Sequence, residues 1–223
     1  MGKAWLVGLL VLVMLLVTAC NMSGKAVDPN DSCSSLEEGA KQNCYFENHY
    51  CSKMEAGNFR DSCIAELAKL QQSVAACDLI KNEVNKGHCM EKVAEITANP
   101  EICKNIADKY WADNCYYNLA LNDRDPILCA NIKDLGQYED CYQRIALATN
   151  EHLLCDNLTS QARTGCIIKI AQQTKNMGLC PSLDTALNID VCRFRVVKLL
   201  EDKEACSKIE IKEVRDVCLD YFK

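Results

Sequence analysis

The sequence predicts an all-α protein, an α-solenoid of about eight helical hairpins that are each stapled by a disulfide. Cysteines recur with alternating spacings of 12 and 14 residues, which gives a period of 26 residues. Apolar residues keep fixed offsets from these cysteines, as expected for units that bury one face against their neighbours. Ala, Leu, Lys and Glu are plentiful, whereas the chain has 9 Gly and 4 Pro. This composition favours helix.

The charge and the cysteine content limit the classes of partner and of compartment. The chain has 31 acidic and 25 basic residues, a net charge of -6, and no basic run. Nucleic acid is therefore not expected as a partner, since phosphate binding requires clustered positive charge. The 17 cysteines in 223 residues point to an oxidising compartment.

Residues 1–20 have the pattern of an export signal. Lys3 is followed by an apolar run over residues 4–17, which is shorter than the roughly 20 residues of a membrane-spanning helix. The segment ends Val17-Thr18-Ala19-Cys20 and resembles the lipobox of prokaryotic lipoprotein signal peptides. That resemblance implies diacylglyceration of Cys20 and cleavage before it. An uncleaved signal anchor and an ordinary cleavage site nearby are the alternatives, and each of them also exports the remainder.

The cysteine count supports a separate role for Cys20. Seventeen is odd, and setting Cys20 aside leaves sixteen cysteines that fall into pairs. Residues 21–32 are polar and contain Gly and Pro, which predicts a flexible tether with a reach of about 20 Å. Glycosylation sequons begin at Asn21, Asn30 and Asn157.

The repeats themselves occupy residues 51–223. One residue is deleted in the repeat that begins at Cys155. Cys33 and Cys44 form a shorter unit, so residues 33–50 are predicted to be an N-terminal capping hairpin. The first cysteines of the seven repeats are Cys51, Cys77, Cys103, Cys129, Cys155, Cys180 and Cys206. The second cysteines are Cys63, Cys89, Cys115, Cys141, Cys166, Cys192 and Cys218.

Each repeat is predicted to hold two helices. The first is a two-turn helix, for example from near Asp125 to near Ile132, with Pro126 at its first helical position. An apolar residue stands directly before the first cysteine and another stands three residues after it. The second helix is longer, and its predicted N-caps are Asn82, Asp108, Asp134, Ser160 and Thr185.

The second helix carries an apolar stripe. The second cysteine, the apolar residue four positions later and the alanine that follows it (Cys141, Ile145 and Ala146 in one repeat) are predicted to face the core. An acid two positions before the second cysteine, such as Asp113, is favoured there by the helix dipole. The pattern resembles, in architecture only, secreted cysteine-rich helical-hairpin repeat proteins related to tetratricopeptide arrays. Their period is longer and their Trp/Gly/Tyr signature is missing here, so the resemblance implies no functional residue.

Consecutive cysteines are predicted to pair. Cys129 and Cys141 lie on either side of the turn at residues 134–136, at matched heights on antiparallel helices. The alternative, Cys141 with Cys155, straddles the other turn, leaves Cys218 unpaired and forces an exception near Cys33. The predicted disulfides are Cys33–Cys44, Cys51–Cys63, Cys77–Cys89, Cys103–Cys115, Cys129–Cys141, Cys155–Cys166, Cys180–Cys192 and Cys206–Cys218. Each closes a short loop, nominally worth about 3 kcal/mol.

Metal binding and catalysis lack a pattern in the sequence. Zinc sites use close cysteine pairs and redox enzymes use Cys-x-x-Cys, and the sequence has neither. The three histidines, His49, His88 and His152, fall at different repeat positions without a triad pattern. The sequence therefore predicts no metal, no cofactor and no enzymatic activity.

An aromatic cluster marks the predicted binding surface. Tyr110, Trp111 and Tyr117 lie at variable repeat positions, and Tyr and Trp are favoured at recognition surfaces. Tyr116 and Tyr142 share a position with apolar residues of other repeats and are predicted to be core.

These features predict a lipid-anchored helical-repeat module at the extracytoplasmic face of the cell envelope. It is held to the membrane by its anchor and binds or scaffolds a protein partner. A purely structural envelope spacer is the first alternative. A thiol-disulfide oxidoreductase is the second, and it requires a readily reducible cysteine pair.

Overall fold

The computed structural model describes residues 33–223, and every regular element in this part of the chain is helical. The prediction of an all-α helical-repeat protein is confirmed. The export signal, Cys20, the tether and the sequons at Asn21 and Asn30 lie outside the described residues. The chain divides into two compact bodies, Met1–Met54 and Glu55–Lys223. We call them the N-terminal and C-terminal bodies.

The described part of the N-terminal body is a small helical unit closed by a disulfide. Helix α1 (Glu38–Glu47) is followed by the 3-10 helix Cys51–Lys53. The Cys33–Cys44 disulfide joins Cα atoms 5.5 Å apart. Tyr45 is buried, and the Lys53 ammonium lies 5.8 Å from the centre of its ring.

The C-terminal body alternates long and short helices, numbered here in chain order. The long helices are α2 (Asn58–Gln71), α4 (Glu83–Thr97), α5 (Lys109–Asp123), α7 (Leu135–Thr149), α8 (Ser160–Gln173), α9 (Ala186–Leu200) and α10 (Lys212–Tyr221). The short α-helices are α3 (Val74–Cys77) and α6 (Pro126–Cys129), and the 3-10 helices are Cys103–Asn105, His152–Asn157, Met177–Ser182 and Lys203–Lys208. Each long helix contacts the next long helix along the chain.

The two-turn first helix predicted from near Asp125 to near Ile132 is wrong, because the Cys129 repeat has a single α turn there, Pro126–Cys129. In most other repeats the first helix is a 3-10 helix, and its six residues in the Cys155, Cys180 and Cys206 repeats make two turns. Both the cysteine and the apolar residue three positions later must enter the core, and the 3-10 geometry places residues i and i+3 on one side. The backbone becomes extended at that apolar residue, as at Ile106 (φ -77°, ψ 117°), and the chain then turns into the long helix.

Six of the seven long helices are followed, within two residues, by a residue in the left-handed conformation. These residues have φ between 48° and 59° and none is glycine: Gln72, Ala98, Arg124, Asn150, Lys175 and Glu201. After five of these helices, the N–H of the next residue donates to the alanine of the apolar stripe, as from Asp125 to the Ala120 carbonyl at 2.9 Å. This 6→1 bond closes the helix C-terminus and reverses the chain toward the next repeat.

Disulfides join neighbouring cysteines, as predicted. The Cα–Cα distances lie between 5.5 and 5.9 Å for Cys33–Cys44, Cys77–Cys89, Cys103–Cys115, Cys129–Cys141, Cys155–Cys166, Cys180–Cys192 and Cys206–Cys218. Cys51 and Cys63 are disulfide-bonded as well. The cysteines of the C-terminal body are at most 1% exposed, so each disulfide is part of the buried core.

Four of the five predicted N-caps of the long helices are confirmed. The side chains of Asn82, Asp108, Asp134 and Thr185 each accept a backbone N–H three residues ahead. The fifth prediction, Ser160, is wrong because α8 is capped by Thr159. The deleted residue of this repeat therefore falls in the turn before the helix, which brings the cap one position closer to Cys155.

The apolar stripe forms the core of the C-terminal body. Val93, Leu119, Ile145, Ile170 and Val196 are at most 1% exposed, and the alanines that follow the first four are fully buried. Tyr142 is buried, as predicted, and the half-buried Tyr116 packs against the same cluster. The core thus extends from repeat to repeat.

Candidate binding cleft

Carboxylates two positions before the second cysteine bind the next repeat. Asp113 is 6% exposed, and its two oxygens accept the backbone N–H groups of Lys133 and Asp134 at 2.8 and 2.9 Å. The sequence predicts only a favourable position for this acid in the helix dipole, whereas its main partners are these two N–H groups. The bonds hold the turn that precedes α7 against α5.

The same contact recurs elsewhere in the C-terminal body. Asp190 accepts the backbone N–H groups of Glu210 and Ile211 at 3.0 and 2.7 Å, and Glu139 accepts that of Thr159 at 2.9 Å. Burial alone would raise the pKa of Asp190, but these N–H donors and the Arg193 guanidinium outweigh burial and lower it. Hydrogen bonds from the Thr159 side chain, and then from its backbone N–H, likewise lower the pKa of Glu139.

A cleft opens between the Cys103 and Cys129 repeats, beside Asp113. Its inner part is a cavity of about 220 Å³ whose lining includes Lys104, Lys109, Ala112, Tyr116 and Lys133. An adjoining outer part of about 610 Å³ shares Lys109, Asp113 and Lys133 with it and adds Tyr110 and Gln137. Helix α5, the turn before α7 and the 3-10 helix Cys103–Asn105 together form the walls.

The cavity is lined at position 112 by a small side chain. Ala112 lies three residues before the second cysteine, where four other repeats have the cations Arg60, Lys86, Arg163 and Arg215 and two have Tyr138 and Ile189. In the Cys77 and Cys155 repeats, the cation at this position pairs with an acid one residue after the first cysteine. Lys86 lies 2.7 Å from Asp78, and Arg163 lies 2.8 Å from Asp156.

In the Cys103 repeat both members of that pair are replaced. Ala112 stands in for the cation and Lys104 stands in for the acid. Lys104 therefore lines the cavity without the ion pair that its equivalent forms in those two repeats.

The cleft carries an excess of positive charge in an acidic protein. Lys104, Lys109 and Lys133 are exposed, and none of the three is in an ion pair within the described residues. The two carboxylates of the lining are already bonded to backbone N–H groups. Asp113 holds the turn, and Asp134 caps α7 through the N–H of Gln137 at 2.9 Å.

The predicted aromatic surface separates into three environments. Tyr110 is 63% exposed and lines the outer cleft. Trp111 lies between α4 and α5, with its ring centre 4.4 Å from that of the exposed His88. Tyr117 donates a hydrogen bond to Asp140, and burial together with that carboxylate raises the pKa of Tyr117 to about 12. Only Tyr110 is therefore free to contact a partner, and the binding role of all three stays a prediction.

A glycine makes room for the indole between α4 and α5. A Cβ added at Gly87 would lie 3.1 Å from the Trp111 Cβ and 3.1 Å from the Ile106 Cγ2. The buried indole Nε1 has no hydrogen-bond partner. Trp111 thus acts here as an interface side chain between two helices.

Glu91 is the most enclosed polar side chain of the same interface, at 1% exposure. The Asn118 amide donates to its Oε1 at 2.7 Å, and the Lys92 ammonium lies 3.2 Å from its Oε2. Burial, and then the charge of Glu95, raise the pKa of Glu91, while Lys92 and Asn118 oppose the shift.

Four cleft residues were not predicted from the sequence: Lys104, Lys109, Ala112 and Lys133. Their signal is weak, because the position of Ala112 is a cation in four of the seven repeats and the position of Lys104 is an acid in only two. Across residues 33–223, no group of His, Cys, Asp and Glu side chains is arranged to hold a metal ion. No helix in this range combines the length and the apolar character needed to cross a membrane.

Comparison of the chain with protein-family models, with curated proteins and with solved structures gave no match. The functional inference therefore depends on the disulfide-linked fold, which indicates an oxidising, extracytoplasmic environment, and on the chemistry of the cleft.

Proposed function

We propose that this protein is a lipid-anchored, extracytoplasmic helical-repeat module that binds a protein partner and carries out no catalysis. The lipobox-like sequence that ends at Cys20 supports the anchor, and the disulfides support the compartment. The single observation that carries the binding role is the cleft between the Cys103 and Cys129 repeats.

The cleft favours a binding module over the two alternatives. A spacer needs only regular repeats, and it has no need of three lysines that line one cavity, as Lys104, Lys109 and Lys133 do. An oxidoreductase needs an accessible sulfur, whereas the cysteines of the C-terminal body are at most 1% exposed.

The anchor is tested by intact-mass measurement of the protein from a membrane fraction. We expect a mature chain that begins at Cys20 and carries the added mass of a diacylglycerol with further acylation. A Cys20→Ser variant should leave the membrane fraction. An unmodified N-terminus, or a variant that remains in the membrane fraction, would contradict the anchor.

The binding role is tested by site-specific photo-crosslinking in the cell envelope. A photoreactive amino acid replaces Tyr110 in one variant and Leu187 in a control. Both residues are the second after a helix N-cap, and their side chains are 63% and 55% exposed. We expect a discrete adduct only from position 110. Equal labelling at both positions, or none, would favour the spacer.

A further inference from the structure

We infer that the cleft binds an acidic segment of a polypeptide, with a carboxylate among Lys104, Lys109 and Lys133 and a neighbouring apolar side chain against Tyr110. This inference rests on the proposed binding function and names the chemistry of its partner.

The three lysines reach one cavity from three different elements. Lys104 lies on the 3-10 helix Cys103–Asn105, Lys109 is the first residue of α5, and Lys133 lies in the turn before α7. All three line the inner cavity of about 220 Å³. Its floor is Ala112, so space remains for a side chain from outside. An acid placed there would meet cations on three sides, and a charge-assisted hydrogen bond is about twice as strong as a neutral one.

The position of Lys133 is fixed by its own backbone. Its N–H donates to Asp113 at 2.8 Å, which ties the residue to α5 and leaves the ammonium group unpaired. Because the main chain of Lys133 is already fixed, less conformational entropy is lost when its ammonium group binds an anion.

The Cys155 repeat shows the equivalent space closed by ion pairs. In the Cys155 repeat, Arg163 fills the equivalent space and bridges Asp156 and Asp184 at 2.8 and 3.3 Å. The charges there are satisfied within the protein. In the Cys103 repeat, Lys104 and Lys133 stand at the positions of these two acids, so the site can accept negative charge from a partner.

The outer cleft adds an apolar component to the site. Tyr110 is 63% exposed and packs edge to face on Trp111 at 5.0 Å between ring centres. The Trp111 indole packs against Gly87 and in turn supports the Tyr110 ring. An exposed, supported aromatic ring beside a basic cavity fits an acidic segment that also has an apolar residue, and it does not fit a free inorganic anion.

The experiment measures fluorescence anisotropy of a labelled peptide with the mature chain. The probe is a fluorescein-labelled peptide of four glutamates around one phenylalanine, and the control peptide has glutamine in place of each glutamate. We expect saturable binding of the acidic peptide only, weakened about tenfold between 50 mM and 500 mM salt because the charges are partly exposed. Inorganic phosphate at 10 mM should not displace it.

Two variants locate the binding to the cleft. Lys133→Ala should weaken the peptide about fivefold. Lys81→Ala is the matched control, because Lys81 holds the same repeat position and removes the same charge from another repeat; it should change affinity less than twofold. Tyr110→Ala should weaken binding by a similar factor to Lys133→Ala.

A double variant closes the cleft without removing the fold. Ala112→Arg with Lys104→Asp rebuilds the pair found between Arg163 and Asp156, so an unchanged circular dichroism spectrum and at least a tenfold loss of affinity are expected. Equal affinity for the glutamine peptide, equal effects of the Lys81 and Lys133 variants, or displacement by phosphate would overturn the inference. A specific crosslink at position 110 with no peptide binding would refute the acidic partner while leaving the binding role intact.

Discussion

Replacing Asp190 by asparagine tests the carboxylate contact between repeats. One oxygen of Asp190 accepts two backbone N–H groups of the following repeat, and the other accepts Arg193 Nη1 at 3.0 Å. Asparagine keeps an oxygen for the N–H groups but turns an NH₂ group toward the guanidinium. Because Asp190 is 1% exposed, solvent cannot replace the lost charge.

The expected loss follows from these contacts. Breaking a buried ion pair costs about 3–5 kcal/mol when the partner is left without compensation. Arg193 keeps Glu210 at 3.0 Å, so the loss is smaller and is closer to that of one or two charged hydrogen bonds, about 2–3 kcal/mol. With a typical denaturant slope, this lowers the urea midpoint by about 1 M.

The assay is urea unfolding of the oxidised protein, followed by circular dichroism at pH 7 and at lower pH. Asp216→Asn is the matched control, because Asp216 holds the same repeat position but pairs only with the exposed Lys212. The pKa of Asp190 is lowered from 3.8, so its stabilisation is present above about pH 4 and is lost as pH falls through the lowered value. The wild type should therefore approach the Asp190 variant in acid. Equal midpoints for the two variants at pH 7 would refute the contact.

Five further substitutions probe other features of the fold. Ala98→Gly should stabilise the protein by about 0.5–1 kcal/mol, because φ at Ala98 is +48°. Asn150→Gly should stabilise it less, because Asn tolerates this conformation. Urea midpoints compare the two variants, and equal gains in stability would contradict the reasoning. Gly165→Ala should stabilise the protein by about 1 kcal/mol through helix propensity, because no atom lies within 4 Å of the new Cβ. Gly87→Ala should be less stable than Gly165→Ala by about 1–3 kcal/mol, because its Cβ would meet side chains at 3.1 Å. Equal urea midpoints for the two variants would show that the side chains around Gly87 move to make room. The wild type should lose stability as pH rises from 4.5 through the raised pKa of Glu91, because the buried carboxyl then has to ionise. Glu91→Gln should not show this loss. Parallel profiles of stability against pH for the two proteins would refute the raised pKa of Glu91.

The cysteine spacing was sufficient to predict the hairpins, their disulfides and the buried stripe. A cysteine, an apolar residue and an alanine at fixed offsets define one helix face, and the structure buries that face, as at Cys141, Ile145 and Ala146. Cap residues such as Asp108 and Asp134 were also predictable, because each accepts an N–H three residues ahead in its own chain segment.

Contacts between repeats were harder to predict. The offset of Asp113 from Cys115 indicates where the acid lies on its helix, but its partners are backbone groups about twenty residues ahead, in a turn whose geometry the sequence does not specify. The two-turn helix failed for a related reason. The pattern around Asp125 fits either helix type, and the choice depends on how the chain must turn into α7.

The cleft was only partly predictable from the sequence. Ala112 and Lys104 occupy positions where two other repeats, those of Cys77 and Cys155, have a cation and an acid. The comparison became informative only when the ion pairs of Lys86 and Arg163 showed how those two repeats fill the space. A repeat protein thus supplies its own comparison, since each repeat is a reference for the others.

A disulfide map of the native protein tests the central claim most directly. Tryptic digestion without reduction separates consecutive pairs, because a lysine or arginine lies between them, as at Lys92, Arg124 and Arg144. Mass spectrometry should find each cysteine of residues 63–223 linked within its own hairpin, for example Cys129 with Cys141, and no free thiol. Linkage of Cys141 to Cys155, or unpaired cysteines in the folded protein, would contradict the account of a fold built from covalently closed hairpins.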